Sequence, residues 1–309
     1  MPSFLNNGIF VAIIAHGLIG LSLVWDKILL ERPETQDVIN YTFWLGAMSA
    51  LGVFLIPFGF RLPGLRVFAI AFTAGAVQLA ANYFYYDTLK LGEASQTLAI
   101  MGGFSPLFTY LIALALLKEP LGGGSIAGFA LMVAGGFFMF LSEPVNLKVI
   151  LPLTLAAAST FGFSSVLQKV AFDETNFVSA YVIFTFGTFA GALFLLLRRR
   201  WREEISRTSE QASPRSKELY FLNRFISGVG SFLIFFAISR ASPAIVDAIS
   251  GLRYAIIFAG VYYISRFHPQ WLKEEYSGWT LIAKSVGTLL VIAGLVLVGL
   301  GGQGAPGPS

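Results

Sequence analysis

Apolar residues occur along this chain in long blocks separated by short polar stretches, and they do not alternate with polar residues. Most blocks contain about 18 to 25 residues, which is the length that an α-helix needs to cross roughly 30 Å of hydrocarbon. A transmembrane β-barrel would instead show short segments in which apolar and polar residues alternate. The pattern therefore predicts an all-α integral membrane protein.

We predict ten membrane-spanning helices, joined mostly by short loops. Their approximate bounds are residues 8–28, 38–59, 67–88, 94–117, 125–142, 149–171, 177–197, 219–239, 242–265 and 279–301. The longest polar loop, residues 198–218, has a mixed charge and is expected to form a partly helical surface linker. The tail, residues 302–309, is rich in glycine and proline and is expected to be disordered.

The two halves of the chain repeat each other weakly. Residues 20–27, GLSLVWDK, match residues 162–169, GFSSVLQK. A second match joins small residues of the fifth and tenth spans, where Gly128, Ala134 and Gly135 correspond to Gly287, Ala293 and Gly294. An odd number of spans per repeat makes the second copy enter the membrane from the opposite side. We therefore predict two inverted five-helix repeats, residues 1–145 and 146–301, an arrangement that is typical of transporters.

The composition supports a membrane protein and excludes several other classes. Hydrophobic residues make up 56% of the chain and charged residues only 12%, whereas soluble domains carry about 25% charged residues. The net charge of +4 comes from a few loops, and it indicates contact with a lipid bilayer rather than with nucleic acid. Because the chain has no cysteine, disulfides, iron–sulfur clusters and thiolate catalysis are excluded. The chain is expected to be a monomer or a homodimer.

Enzymatic activity has little support in the sequence. The two histidines, His16 and His268, are far apart and lack metal-ligand spacing. The chain has no phosphate-binding loop, nucleophile elbow or dinucleotide fingerprint. We therefore expect no metal, no cofactor and no enzymatic reaction. Uphill transport would then use an ion gradient or the gradient of the substrate itself.

The ninth span contains two charged residues, Asp247 and Arg253. Each costs roughly 2.5–3.5 kcal/mol inside a membrane unless it has a partner or a wet cavity. Their separation of six places them about 120° apart on a helix, so we expect each to contact a different helix. Arg253 could bind an anionic group, a carboxylate or a phosphate, through its planar fork. Alternatively, it forms a buried structural pair that holds the ninth span to a neighbour.

Polar side chains also form stripes on single helix faces. Asp247, Ser250 and Tyr254 share one face of the ninth span, and Gln78 and Asn82 share one face of the third. Such groups either hydrogen-bond between helices or line a cavity. The candidate substrate-binding residues are Gln78, Asn82, Asp247, Ser250, Arg253 and Tyr254.

Two further roles follow from single residues. His16 lies near the middle of the first span and could couple transport to protons together with Asp247; the alternative is a core histidine with satisfied hydrogen bonds. Pro106 lies inside the fourth span, where it frees a backbone carbonyl. Together with Gly102 and Gly103 it would permit helix bending, so these three residues are the candidate hinge.

Residues near span ends are expected to be structural. Asp26 is predicted to lie at the membrane interface. Lys27 and Lys169 occupy equivalent repeat positions, and this recurrence favours the capping of helix carbonyls over substrate contact. The GxxxG of Gly187 and Gly191 is expected to support close helix packing rather than a dimer interface.

Several short motifs occur together in a recognisable order. They are Trp25 and Lys27, Ser105-Pro106-Leu107, Lys118-Glu119-Pro120-Leu121, and Gly128 followed by Ala134-Gly135. With the internal repeat, they give a chain that resembles the EamA-type members of the drug/metabolite transporter superfamily over nearly its whole length. The resemblance implies a bundle of two inverted five-helix repeats around a central cavity. It also implies transport of small metabolites such as amino acids, often outward.

The second half departs from the resembled pattern, because Arg253 stands where a proline is expected and the loop after residue 267 matches only loosely. Two criteria also predict opposite orientations. The resemblance implies that both termini are cytoplasmic, which places residues 198–218 outside. The positive-inside rule places that loop, with its seven Lys and Arg residues, in the cytoplasm.

The sequence therefore predicts a multi-pass protein of the cell membrane. We expect a secondary transporter that exports small organic metabolites such as amino acids by alternating access. A carrier of sugar phosphates, nucleotide sugars or drugs from the same superfamily is the nearest alternative. A membrane scaffold or assembly protein that does not transport is the alternative from another class.

Overall fold

All regular structure described for this protein is helical, as the apolar blocks predicted. The computed structural model describes residues 8–30, 37–91, 94–118, 120–141, 148–267 and 278–301. Within them, eight helices are long and apolar enough to cross a membrane, and a further apolar segment, Ser125–Phe138, is shorter. The chain is a multi-pass integral membrane protein. The predicted disordered tail, residues 302–309, lies outside the described residues.

The helices are numbered in chain order. Helices α1 to α6 are Gly8–Leu30, Val38–Met48, Leu65–Leu91, Ala94–Leu117, Gly123–Leu141 and Ile150–Glu174. Helices α7 to α12 are Phe177–Leu195, Arg199–Gln211, Pro214–Ile238, Pro243–Ala248, Gly251–Phe267 and Gly278–Gly301. A 3₁₀ segment, Ser49–Phe58, directly continues α2.

Two of the predicted spans are not uniform helices. The second changes from α-helix to 3₁₀-helix at Ser49, and the ninth is divided into α10 and α11 at Ile249 and Ser250. At this break the Ser250 N–H donates to Asp247 O at 2.9 Å and the Arg253 N–H donates to Ser250 O at 2.8 Å. These bonds join residues three apart, so the chain tightens locally and the regular α-helical pattern is interrupted. Broken helices inside membranes must satisfy the freed backbone groups elsewhere.

The polar loop between α7 and α9 is largely helical. Helix α8 carries ion pairs between residues four apart, Arg199 with Glu203 at 2.8 Å and Arg200 with Glu204 at 3.8 Å. After it, Ser213 caps α9 by accepting a hydrogen bond from the Ser216 N–H at 3.2 Å. Because Pro214 occupies the first turn, where its missing N–H costs nothing, α9 begins five residues before the predicted eighth span.

Helix α5 packs against α12 through glycines that match in the two halves. A Cβ atom on Gly128 would lie 2.6 Å from Gly294 O, and one on Gly135 would lie 2.6 Å from Gly287 O. The two backbones are therefore in direct contact, which only glycine allows at these positions. Gly128 thus contacts Gly294, which is the repeat equivalent of Gly135, and Gly135 contacts Gly287, which is the repeat equivalent of Gly128.

Glycines also join α3 to α7 and α4 to α5. A Cβ atom on Gly187 would lie 2.0 Å from Phe72 O, so this glycine packs within the chain, as expected. A Cβ atom on Gly136 would lie 2.4 Å from the carbonyl carbon of Gly102, and one on Gly103 would contact Phe137 at 3.2 Å. Helix α4 is continuous through Pro106. The proposed hinge glycines thus lie in a close helix contact, and their bending remains a prediction.

Helices from both halves alternate around the centre of the bundle. Helix α1 packs against α9 and α11, whereas α6 packs against α3 and α4. Helix α3 also packs against α7, and α2 against α7. This arrangement encloses the cavity in which most of the predicted site residues lie.

Candidate functional site

A cavity of about 490 Å³ lies between helices of the two halves. Five of the six predicted binding residues line it: Gln78, Asn82, Asp247, Ser250 and Arg253. The side chain of the sixth, Tyr254, lies outside the described residues. Much of the remaining wall is aromatic and includes Tyr85, Phe161, Tyr181, Phe184, Phe232 and Phe235. The cavity thus combines a few polar groups with a large aromatic surface, which is typical of sites for small organic molecules.

Arg253 lies in the first turn of α11, directly after the helix break. Its Nε donates a hydrogen bond to Nδ1 of His16 on α1 at 2.6 Å. No protein group among the described residues lies within hydrogen-bond distance of its terminal nitrogens. Because Arg253 is only partly buried and lines the cavity, these nitrogens are available to an anionic group there.

His16 is completely buried, and both of its ring nitrogens are engaged. Nδ1 accepts from Arg253, and Nε2 donates to the carbonyl of Val246 at 2.7 Å. That carbonyl lies at the helix break, where the Ser250 N–H bonds to Asp247 O instead. His16 therefore satisfies a backbone group that the break frees, and it orients Arg253. A proton added to Nδ1 would face the Arg253 N–H, so this geometry favours a satisfied core histidine over a proton carrier.

Asp247 connects α10 to α4. Its Oδ2 accepts hydrogen bonds from Ser105 Oγ at 3.0 Å and from Thr109 Oγ1. These hydroxyls lie one helical turn apart on either side of Pro106. The expectation that Asp247 and Arg253 contact different helices is confirmed, because Asp247 bonds to α4 and Arg253 to α1.

Gln78 and Asn82 lie one turn apart on α3. Asn82 Nδ2 donates to the backbone carbonyl of Gln78 at 2.8 Å. The side-chain Oε1 of Gln78 is buried, and it has no hydrogen-bond partner in the part of the chain that the structure describes. An acceptor without a partner at the wall of a cavity is a position where a ligand N–H or O–H group would bind favourably.

A second charged cluster at the cavity wall was not predicted. Arg224 of α9 forms an ion pair with Asp26 of α1 through Nη2 and Oδ1. The two side chains are 3% and 1% exposed, and both residues line the cavity. Asp26, which was expected to lie at the membrane interface, is thus buried between helices at the cavity wall. Its partner Arg224 lies ten residues into α9, because that helix begins at Pro214.

Three tyrosines surround the Arg224 guanidinium. Its central carbon lies 5.2 Å from the ring centre of Tyr41, 5.8 Å from that of Tyr86 and 5.5 Å from that of Tyr220, within the range of cation–π attraction. Nη1 donates to the Tyr86 hydroxyl at 2.6 Å, and the Tyr41 hydroxyl donates to Asp26 Oδ1 at 2.5 Å. The cluster thereby joins α1, α2, α3 and α9.

The sequence contained one signal for this cluster. Serine followed by proline, Ser213-Pro214, is a typical helix start, and a helix that begins there places Arg224 ten residues inside it. The prediction for Lys27 is confirmed, because its Nζ donates to the carbonyl of Leu89 at 3.3 Å. Lys169 differs, since its Nζ pairs with Asp173 at 2.7 Å on the same helix.

Comparisons with known proteins agree with this architecture. One solved crystal structure is 16% identical in sequence, covers 97% of this chain and 99% of its own, and has a TM-score of 0.63; at that identity the likeness shows the fold alone. A search of curated protein sequences gave no match. Residues 6–141 match the model of the EamA-like transporter family. The resemblance inferred from the sequence is confirmed over these residues, which are similar to the EamA-like transporter family of the drug/metabolite transporter superfamily.

Proposed function

We propose that this chain is a secondary transporter that exports small organic metabolites with an anionic group across the cell membrane. The observation that carries the proposal is Arg253, whose guanidinium lines an aromatic cavity and has terminal nitrogens without a partner among the described residues. A charge kept in that state within a membrane protein is expensive. A substrate carboxylate would offset that cost through two parallel hydrogen bonds. Outward transport is the direction that the family resemblance implies.

The cavity suggests amino acids with large apolar or aromatic side chains as the substrate class. Its aromatic wall would take up the side chain. Asp247 lies on the same broken span as Arg253 and lines the same cavity, so it would bind the ammonium group. The acceptor Oε1 of Gln78 would bind a further donor. If transport is coupled to protons, Asp247 is the residue that would carry them, since both nitrogens of His16 are engaged.

The packing supports alternating access by two inverted repeats. The contact of α1 with α9 has its repeat equivalent in the contact of α6 with α3, and that of α1 with α11 in the contact of α6 with α4. The glycine contact between α5 and α12 joins two helices that correspond in the two repeats, so the repeat symmetry maps this contact onto itself. Such pairing is expected when a pseudo-two-fold axis lies in the membrane plane, and the two repeats would rock about the cavity.

Ligand-dependent thermal stability tests this proposal. The purified protein is heated with amino acids, organic acids, sugar phosphates or lipophilic cations, because a ligand that binds only the folded state raises the melting temperature. We expect a shift with aromatic amino acids that Arg253→Gln abolishes. Arg266→Gln, an exposed arginine on the same helix, is the matched control and should retain the shift.

Other outcomes would contradict the proposal in recognisable ways. A shift with sugar phosphates alone would favour a phosphate carrier, and a shift with lipophilic cations alone a drug carrier. No shift with any compound, together with a much lower melting temperature of Arg253→Gln, would make Arg253 a structural residue and favour a scaffold. Uptake of the same compounds into proteoliposomes then distinguishes transport from binding.

A further inference from the structure

We propose that Arg224 is a second anion-binding residue of the cavity and that Asp26 is its built-in competitor. An anionic group of the substrate would replace Asp26 on the Arg224 guanidinium, and this exchange would release α9 from α1. The inference rests on the proposed transport function and extends it from one arginine to two. The chemical class of the ligand is the same, a small organic carboxylate.

The first observation is that the pair is buried at the cavity wall but incompletely satisfied. Asp26 Oδ2 and Arg224 Nε are buried, and neither has a hydrogen-bond partner in the described part of the chain. A buried ion pair stabilises a fold only when its remaining donors and acceptors are also satisfied. As a purely structural bond this pair is therefore inefficient. In a site where a substrate carboxylate replaces Asp26, the unpaired Arg224 Nε is a donor for the incoming carboxylate. The unpaired Asp26 Oδ2 is an acceptor of the carboxylate that leaves.

The second observation is that the tyrosines hold the guanidinium independently of Asp26. The rings of Tyr41, Tyr86 and Tyr220 lie within 6 Å of its central carbon, and the Tyr86 hydroxyl accepts from Nη1. These contacts remain when the carboxylate is exchanged. Arg224 would thus stay in place with its charge partly stabilised, and the exchange of Asp26 for a substrate carboxylate replaces like with like.

The third observation is that the bonds of this cluster hold the first half of the chain to α9. Asn223 Nδ2 donates to Asp26 Oδ1 at 2.6 Å and to the carbonyl of Ser22 at 3.2 Å. The Tyr220 hydroxyl donates to the carbonyl of Tyr41 at 2.8 Å. Loss of the Asp26 contacts would remove the charged bonds between α1 and α9. The cluster is therefore placed to open the cavity when a ligand replaces Asp26.

The position of the pair along α1 places it away from Arg253. Asp26 follows His16, the partner of Arg253, by ten residues, which is about 15 Å along a helix. Arg253 and Arg224 therefore lie at two levels of the same cavity wall. A carboxylate bound at Arg253 would meet the second arginine on its way toward the C-terminal end of α1.

Binding of sodium phenylacetate, an aromatic carboxylate, to the purified full-length protein provides the first test. Asp26→Asn removes the competing charge but retains the shape, so the apparent affinity should increase about fivefold or more, in the usual range for coupled sites. The double variant Asp26→Asn with Arg224→Gln should lose this gain. Asp173→Asn, which removes the charge from the more exposed pair with Lys169, is the matched control and should bind like the wild type.

Cysteine labelling provides the second test, because the chain has no cysteine of its own. A single cysteine in place of Met48, which lines the cavity, reports its opening to a membrane-impermeant maleimide. Phenylacetate should accelerate labelling in the otherwise wild-type protein. In the Arg224→Gln background labelling should be fast with or without the probe. If Arg224→Gln does not fold, Arg224→Lys takes its place in this test. This variant retains the charge without the planar fork, so phenylacetate should accelerate its labelling only weakly.

The outcomes separate this inference from the proposed function. Folded Asp26→Asn protein that binds phenylacetate no more tightly than the wild type, or a double variant that retains the gain, would overturn the exchange. Labelling that never depends on the probe would make the pair a structural bond. If Arg253→Gln binds phenylacetate normally while Asp26→Asn shows the gain, the assignment of Arg253 is wrong and the role of Arg224 stands. If Arg253→Gln loses binding and Asp26→Asn shows no gain, the assignment of Arg253 stands and the proposed role of Arg224 is wrong.

Discussion

Arg253 and Arg224 are both arginines within apolar helices at the wall of one cavity, but the protein holds their charges in opposite ways. Arg253 bonds to a neutral histidine, and its terminal nitrogens have no partner among the described residues. Arg224 contacts a carboxylate and three tyrosine rings and is almost completely buried. In the proposed function a substrate carboxylate pairs with the first charge, whereas the second is already paired with a carboxylate of the protein. The partners of a buried charge, more than its depth, thus indicate what it does.

The comparison predicts its largest effect at Asp26. Asp26→Ala would leave the Arg224 guanidinium buried without a counter-ion, so the free energy of unfolding should fall by about 3–5 kcal/mol. Denaturant unfolding in detergent measures this change. Asp173→Ala, at a partly exposed pair, should cost no more than about 1 kcal/mol.

A double variant checks that the cost at Asp26 comes from the uncompensated charge. Asp26→Leu with Arg224→Met replaces the pair with apolar side chains, and it should recover most of the stability that Asp26→Ala loses. If the double variant is as unstable as the single one, the lost stability arises from packing instead. The contrast between the two arginines would then be much weaker.

His16 is the corresponding partner on the side of Arg253, and its loss should cost less. His16→Phe keeps a ring of similar size but leaves the Val246 carbonyl without its donor. Leaving a buried acceptor unsatisfied costs about 1–3 kcal/mol, so the free energy of unfolding should fall by that amount. Substrate binding should weaken as well, because Arg253 loses its orientation. Unchanged unfolding would show that the helix break does not need His16.

Arg253→Lys tests the free charge directly. Lysine retains the charge but cannot form two parallel hydrogen bonds to a carboxylate. Hydrogen bonds to charged groups contribute about 1.5–3 kcal/mol, so substrate affinity should fall about tenfold to a hundredfold. Stability should change little, since the Arg253 side chain has a single hydrogen bond among the described residues. Arg266→Lys is the control. If both variants lower substrate affinity equally, the loss is not specific to Arg253.

The same contrast explains what the sequence could and could not predict. Asp247 and Arg253 were identifiable because each interrupts a long apolar run, and the GxxxG of Gly187 and Gly191 predicted close helix packing. Arg224 and Asp26 lie near predicted span ends, where charged residues are common and do not stand out from the sequence pattern. Only the fold brings α1 and α9 together and buries both residues. The break at Ile249 and Ser250 was likewise not predicted, because its cause is tertiary: His16 from a distant helix satisfies the carbonyl that the break frees.

The smallest expected effect concerns the tyrosine cluster around Arg224. Tyr220→Phe removes the hydroxyl that donates to the Tyr41 carbonyl and retains the ring next to the guanidinium, whose cation–π attraction does not need the hydroxyl. The free energy of unfolding should therefore fall by about 0.5–1.5 kcal/mol, the net contribution of one ordinary hydrogen bond. The exposed Tyr263→Phe serves as the control. A loss as large as that of Asp26→Ala would mean that the hydroxyl positions the whole cluster, and Arg224 would then depend on a network rather than on its carboxylate and the three rings.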